Sequence, residues 1–222
     1  MASGTSFAGG QYDAKFLNLG TLGAATVTLS GNVNPASIQF ASDSTNYTLS
    51  GAGVIAGTVL SGTTATTSLS KSGASTLTVS MSNNTFGGGA SVTAGTLILD
   101  GTSSVSAGTV AAGPLGTGTL TLSPTAAGLT LGAGAAAGAF FNRLVIGGGG
   151  SITFANAGGT LVFGGTTSNN VTLNVSPTFT VADGTLVTFK NNLLNQMSGV
   201  FNLSLNRCDE FFPGCFFCLL HM

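Results

Sequence analysis

Short apolar or alternating triplets return every seven to ten positions along this chain, and that beat constrains the fold more than any other property. The clearest run is Leu144-Val145-Ile146, Ile152-Thr153-Phe154, Leu161-Val162-Phe163, Val171-Thr172-Leu173, Phe179-Thr180-Val181 and Leu186-Val187-Thr188. Taking every third triplet joins Leu144 to Val171, Ile152 to Phe179 and Leu161 to Leu186. A step of roughly 25–27 residues is the length of one turn of a solenoid built from three short strands, which buries its inner face only by stacking on its neighbours. An earlier, less regular version runs through Val27-Thr28-Leu29, Ile38-Gln39-Phe40, Tyr47-Thr48-Leu49 and Val54-Ile55, and Val27 to Val54 repeats the same step.

Within the triplets, apolar residues and threonines alternate, as in Thr76-Leu77-Thr78-Val79 and Thr119-Leu120-Thr121-Leu122. Alternation places apolar side chains on one face of a strand and hydroxyls on the other. Threonine suits the outer face because it is β-branched and also hydrated. Between triplets lie segments such as Gly147 to Gly150, whose residues tolerate the backbone of solenoid corners. Helix-forming composition is confined to Ala133 to Phe141, where the interspersed glycines make a poor helix.

Charge decides what such a surface can meet. The 222 residues include only 5 Lys and Arg and 6 Asp and Glu, for a net charge of −1. A basic stripe for phosphates is missing, which argues against nucleic acid as a partner, and so is a polybasic patch for anionic lipid. No apolar stretch reaches the length of a spanning helix, about 18 residues or more, the nearest being Leu129 to Phe141 and Phe211 to Met222. Positions 1 to 10 lack the charged and apolar regions of a secretory signal, so the expectation is either a start that is lost or misassigned or export directed by something outside this chain.

Catalysis on a β-solenoid needs carboxylates gathered on one face, with Arg, Lys or calcium beside them. Here Asp13, Asp43, Asp100 and Asp183 lie far apart in sequence, as do Lys15, Lys71, Arg143 and Lys190. His221 is the sole histidine and lies in an atypical tail, which removes a Ser-His-Asp arrangement. The glycine clusters lack the Lys-Ser/Thr of a phosphate loop. The reading is therefore of a protein that is not an enzyme, without cofactor or catalytic residues. Thr-x-Thr strings at 26–28, 76–78 and 119–121 offer a hydroxyl ladder of the ice-binding kind, which needs the same pair in register on every coil. Positions near 144, 152 and 161 break it in the sequence.

The stretch from 71 to 99 carries a more specific pattern. Lys71-Ser-Gly73 leads into Thr76-Leu77-Thr78-Val79, followed by Asn83-Asn84-Thr85-Phe86-Gly87-Gly88 and by Val92-Thr93-Ala94-Gly95-Thr96-Leu97. This stretch resembles the autotransporter-associated β-strand repeat, also called the passenger-associated transport repeat, and Gly113 to Leu120 is similar to the segment that often follows. Phe86 and Met81 stand where the family has tyrosine and glycine. The resemblance is best over 71–122 and implies an all-β fold, a right-handed parallel β-helix. With the apolar beat, that gives about 25–27 residues per coil and three short strands in each. The resemblance further implies a passenger segment displayed on a bacterial surface or secreted, whose repeat supports folding during export, and the long, nearly uncharged β-surface rich in Ser, Thr and Asn points to adhesion to cell-surface glycans or like chains. Its translocator barrel is expected elsewhere. The alternative is a carbohydrate- or ice-binding β-solenoid without catalysis.

Domain organisation follows from composition: 1–206 form the β-helical domain, and 207–222 are a Phe- and Cys-rich tail consistent with disorder or a shifted reading frame. Within that tail Cys208, Cys215, Cys218 and His221 offer the donor types of a Cys3His zinc site, but a single C-x-x-C is weak grounds for one, so no metal site is assigned.

Overall fold

In a computed structural model of the chain, strands follow one another without helices among the described residues, which are 13–20, 23–60, 63–65, 67–135, 138–156, 160–164, 171–182, 185–189, 193–195 and 204–207. They wind as a parallel β-helix. One sheet of eight parallel strands runs Asp13–Phe16, Ser37–Ala41, Ser68–Ser72, Ala90–Val92, Leu120–Leu122, Leu144–Ile146, Val171–Leu173 and Leu193–Asn195. A second runs Ala24–Leu29, Asn46–Gly51, Thr76–Val79, Gly95–Leu99, Leu129–Ala133, Ser151–Asn156, Thr178–Val181 and Ser204–Arg207. Arg207, where the composition changes, still pairs with Val181.

The third side is a sheet only in its later coils, where Ala139–Phe140, Thr160–Phe163 and Leu186–Phe189 pair. In the earlier coils the expected third strand shrinks to isolated bridges, Val33 with Ile55 and Asn84 with Gly113, and to side-chain bonds. The buried Asn84 accepts the Ile55 N–H at 3.0 Å through Oδ1 and donates from Nδ2 to the Pro114 carbonyl at 3.1 Å, tying three successive coils together. Asn142 ties only two coils, its Nδ2 donating to the carbonyls of Gly116 and Gly118 at 3.1 and 2.7 Å while its Oδ1 is buried without a partner. An amide that both donates and accepts can stand in for a strand wherever the corner is too short to form one.

Coil length varies more than the apolar beat suggests. On the first sheet Phe16, Phe40, Lys71, Val92 and Leu122 are successive partners. The coils from Phe40 to Lys71 and from Val92 to Leu122 are therefore half as long again as the coil from Lys71 to Val92 between them. Each of the two long coils carries an antiparallel hairpin, Thr58–Leu60 with Thr63–Ala65 and Ser104–Ser106 with Thr109–Ala112. With the hairpins set aside, both fall back close to the length of their short neighbour. The expected step holds where Leu144 meets Val171 and Ile152 meets Phe179. It fails at Val27, which pairs with Leu49, while Val54 belongs to the corner beside Val33. A similar slip moves Leu161 opposite Val187 rather than Leu186. Corners absorb residues without disturbing strand register, so counting from one apolar residue to the next misplaces partners by a few positions.

The core is the stack of inward side chains. One column reads Tyr47, Leu77, Leu97, Leu131, Phe154 and Val181 across the second sheet. Leu77, Leu97 and Leu131 are fully buried, and burying a residue of this size stabilises by roughly 1.5–3 kcal/mol. Aromatic rings gather towards both ends, with Phe16 stacked on Phe40 at 4.5 Å and Phe154 edge-on to Phe179 at 5.3 Å. Tyr47 packs against Phe40, and burial raises its phenol pKa.

Candidate functional site

Two features of the corner between the first and second sheets stand out chemically. The first is Lys71. Alternation along Ser68–Ser72 turns Leu69 and Lys71 inward, so Lys71 takes a place in a column of Phe16, Phe40, Val92, Leu122, Ile146 and Leu173. The side chain is 1 % exposed. Its aliphatic stem suits the core, and its ammonium reaches the corner, where Nζ donates to the carbonyls of Ser72, Gly73 and Ala94 at 3.0, 2.8 and 3.2 Å. Burial lowers its pKa to about 8, and the Asp43 carboxylate opposes that shift. Asp43 is itself held by the Ala74 N–H, which donates to Oδ1 at 2.9 Å.

Gly95 makes this arrangement possible. Its φ is +71°, and a Cβ there would press on the Gly73 carbonyl and the Lys71 ammonium. The lysine and the glycine of the 71–99 pattern thus serve one corner: a cation that satisfies carbonyls from two coils, and a residue small enough to leave it room.

The second feature is a row of hydroxyls beside that corner. Thr76, Thr96, Thr130, Thr153 and Thr180 are consecutive partners on the outer face of the second sheet, each half-buried. Next to it, Thr26, Thr48 and Thr78 form a shorter column that continues as Ile98, Gly132 and Ala155. Coil register brings Thr153 into line in the longer column, while the paired Thr-x-Thr ladder fails beyond Thr78 and is broken near position 152 as expected, where Ala155 stands in the second column. On the first sheet, Thr121 stands between Ser91 and Val145, so it contributes to neither column. An open groove of about 440 Å³ follows the corner, lined among others by Asp43, Gly73, Gly95, Thr96, Thr130 and Thr153.

The remaining charged residues stay dispersed. The Ser37 hydroxyl donates to Asp13 at 2.7 Å, the Ser80 hydroxyl donates to Asp100 at 3.3 Å, and Arg143 donates to the Thr172 hydroxyl at 3.3 Å. Asp43 lies close enough to Lys71 for its carboxylate to act on the ammonium. Among the same residues no three His, Cys, Asp or Glu side chains come together as a metal site would need, nor is any helix long and apolar enough to cross a membrane. Asp183, Lys190, Cys208, Cys215, Cys218 and His221 lie outside the described residues.

Sequence reasoning reads Lys71 as part of a motif and misses that it points inward. The signal is present in Ser68-Leu69-Ser70-Lys71-Ser72, where strict alternation gives Leu69 and Lys71 the same face. What this corner offers is hydroxyl and carbonyl groups for hydrogen bonding along the helix axis, one carboxylate, and a cation already committed to the backbone. No protein-family model, curated protein or solved structure matches the chain, so its geometry carries the functional reading.

Proposed function

We propose that this chain is a structural β-helix segment of a surface-displayed or secreted, autotransporter-like passenger, with adhesion as its output. One observation carries the reading: the residues of the 71–99 pattern occupy corresponding corners of two stacked coils, where Lys71 and Gly95 close the corner together. A stack of this kind adds one coil at a time onto a finished edge, which suits a chain that folds as it emerges from a membrane. Its nearly uncharged exterior of Thr, Ser and Asn supports a role in contact with neutral surfaces. The test fuses the chain between a secretory signal and a translocator barrel in a Gram-negative host. Export should leave a trypsin-resistant fragment on intact cells, and Lys71→Asp should reduce it. Retention of the intact chain inside the cell, or a surface chain degraded throughout, would refute the proposal.

A second reading is favoured by the five-threonine column and its groove: a binding β-solenoid for neutral carbohydrate or ice, without catalysis. Thr130→Lys in the middle of the column should then abolish binding to a neutral glycan array, or thermal hysteresis, while leaving the melting transition in place. Absence of both activities in the unmodified chain would remove this reading.

A further inference from the structure

Asn83-Asn84-Thr85 has the Asn-x-Thr form that accepts N-linked sugars. The same form, with Ser or Thr third, recurs at Asn46 and Asn174, and at Asn170 and Asn202, which lie outside the described residues. Geometry separates the three described sites. At 83–85 exposure alternates: Asn83 and Thr85 are exposed and Asn84 is buried. Extended backbone sets residues i and i+2 on one side, so the acceptor amide and the hydroxyl face solvent together. Asn84 holds them there, since its side chain bonds Ile55 and Pro114, and the Thr85 N–H donates to the Ile55 carbonyl at 2.9 Å. Among the described residues nothing hydrogen-bonds the Asn83 amide.

The other two sites differ. Asn46 accepts the Thr76 N–H at 2.8 Å through Oδ1, so its amide is part of coil stacking. Asn174 and Ser176 are exposed too, but the chain bends at 174–175 after the strand Val171–Leu173, so no extended backbone sets the amide and the hydroxyl on one side.

We propose that Asn83 is an acceptor for a hexose delivered from a nucleotide-activated sugar. In the transfer the Asn83 Nδ2 bonds to C1 of the sugar, the bond from C1 to the diphosphate oxygen breaks, the nucleoside diphosphate leaves with that electron pair, and the amide loses one proton. The attached sugar projects from the corner after the strand Thr76–Val79, where it adds hydroxyls to an exterior that has few charges. This inference goes beyond the passenger reading and does not depend on export, because the transfer is a property of the folded chain.

The experiment incubates the purified folded chain with UDP-glucose and a soluble glycosyltransferase that recognises Asn-x-Ser/Thr, then maps hexose by peptide mass spectrometry. One hexose is expected on Asn83, with Asn46 and Asn174 unmodified, and Asn46 should become modified when the chain is unfolded in urea. Both Thr85→Ala and Asn83→Gln should bring the Asn83 peptide to background while the melting transition stays in place. An unmodified Asn83 in the folded chain, or Asn46 modified as readily as Asn83, overturns the proposal.

Discussion

Lys71 makes stability depend on pH in a direction that can be worked out beforehand. Its folded pKa is about 8, against about 10.4 for an unfolded chain. Between those values the unfolded chain retains a proton that the folded chain has released, so stability rises with pH across the window; below pH 8 both states hold the proton and the cost of burying the charge is fully present. Integrated from pH 7 to 9.5, the linkage amounts to about 2 kcal/mol of added stability. Stopping at 9.5 keeps Tyr47 out of the measurement, because its raised pKa removes stability only as pH passes 10 and above. Urea unfolding followed by circular dichroism at several pH values reads the quantity directly. Subtracting the curve for Lys71→Met cancels titrations elsewhere in the chain, and the difference should carry the whole rise. A flat difference curve would refute the reasoning: it would mean that the carbonyls of Ser72, Gly73 and Ala94 stabilise the ammonium as well as water does.

Other perturbations test other parts of the stack. Asn84→Leu removes the partners of the Ile55 N–H and the Pro114 carbonyl; at about 1–3 kcal/mol for each buried group left unsatisfied, it should cost about 2–6 kcal/mol. Hydrogen exchange should show Ile55 losing protection first, and unchanged protection there would contradict the bridging role. Leu161, buried on the third side, should not tolerate Asp, with a loss above about 4 kcal/mol, whereas Thr121→Asp on the outer face should change stability by less than about 0.5 kcal/mol; equal losses in a thermal melt would show that the faces are misassigned. Gly95→Ala places a Cβ in left-handed backbone, which alone costs about 1–2 kcal/mol, and also against the backbone carbonyls of Gly73 and Ser75 and the Lys71 ammonium, so a larger loss than that is expected in a thermal melt.

Most of the architecture is legible in the sequence because it depends on one-dimensional periodicity. Alternation names the inward residues of Thr76–Val79 and Leu120–Leu122, and the regular step locates the true partners of Leu144 and Ile152. Corner lengths are not legible. Whether a corner is a tight turn or a hairpin leaves little trace in the apolar beat, so the beat matches Val27 with Val54 where the sheet matches it with Leu49. The threonine column is hidden for the same reason: Thr96, Thr130 and Thr153 are unevenly spaced in sequence and align only after the corners have taken up the difference. The buried lysine is hidden by chemistry, since a cation is the last side chain expected in an apolar column, and only the three carbonyls at its tip explain its place.

Because the corners take up extra chain while the strands keep step, the reach of this molecule is measured in turns and not in residues. Each turn advances the stack by one strand separation, about 4.8 Å, whether it is the short one from Lys71 to Val92 or the long one from Phe40 to Lys71. The span from the strand Asp13–Phe16 to the strand Leu193–Asn195 is seven such steps, on the order of 34 Å. A loop grafted at a hairpin position should therefore leave the distance between the two ends unchanged, and duplicating a turn should lengthen the rod by one fixed increment, as rungs do on a ladder.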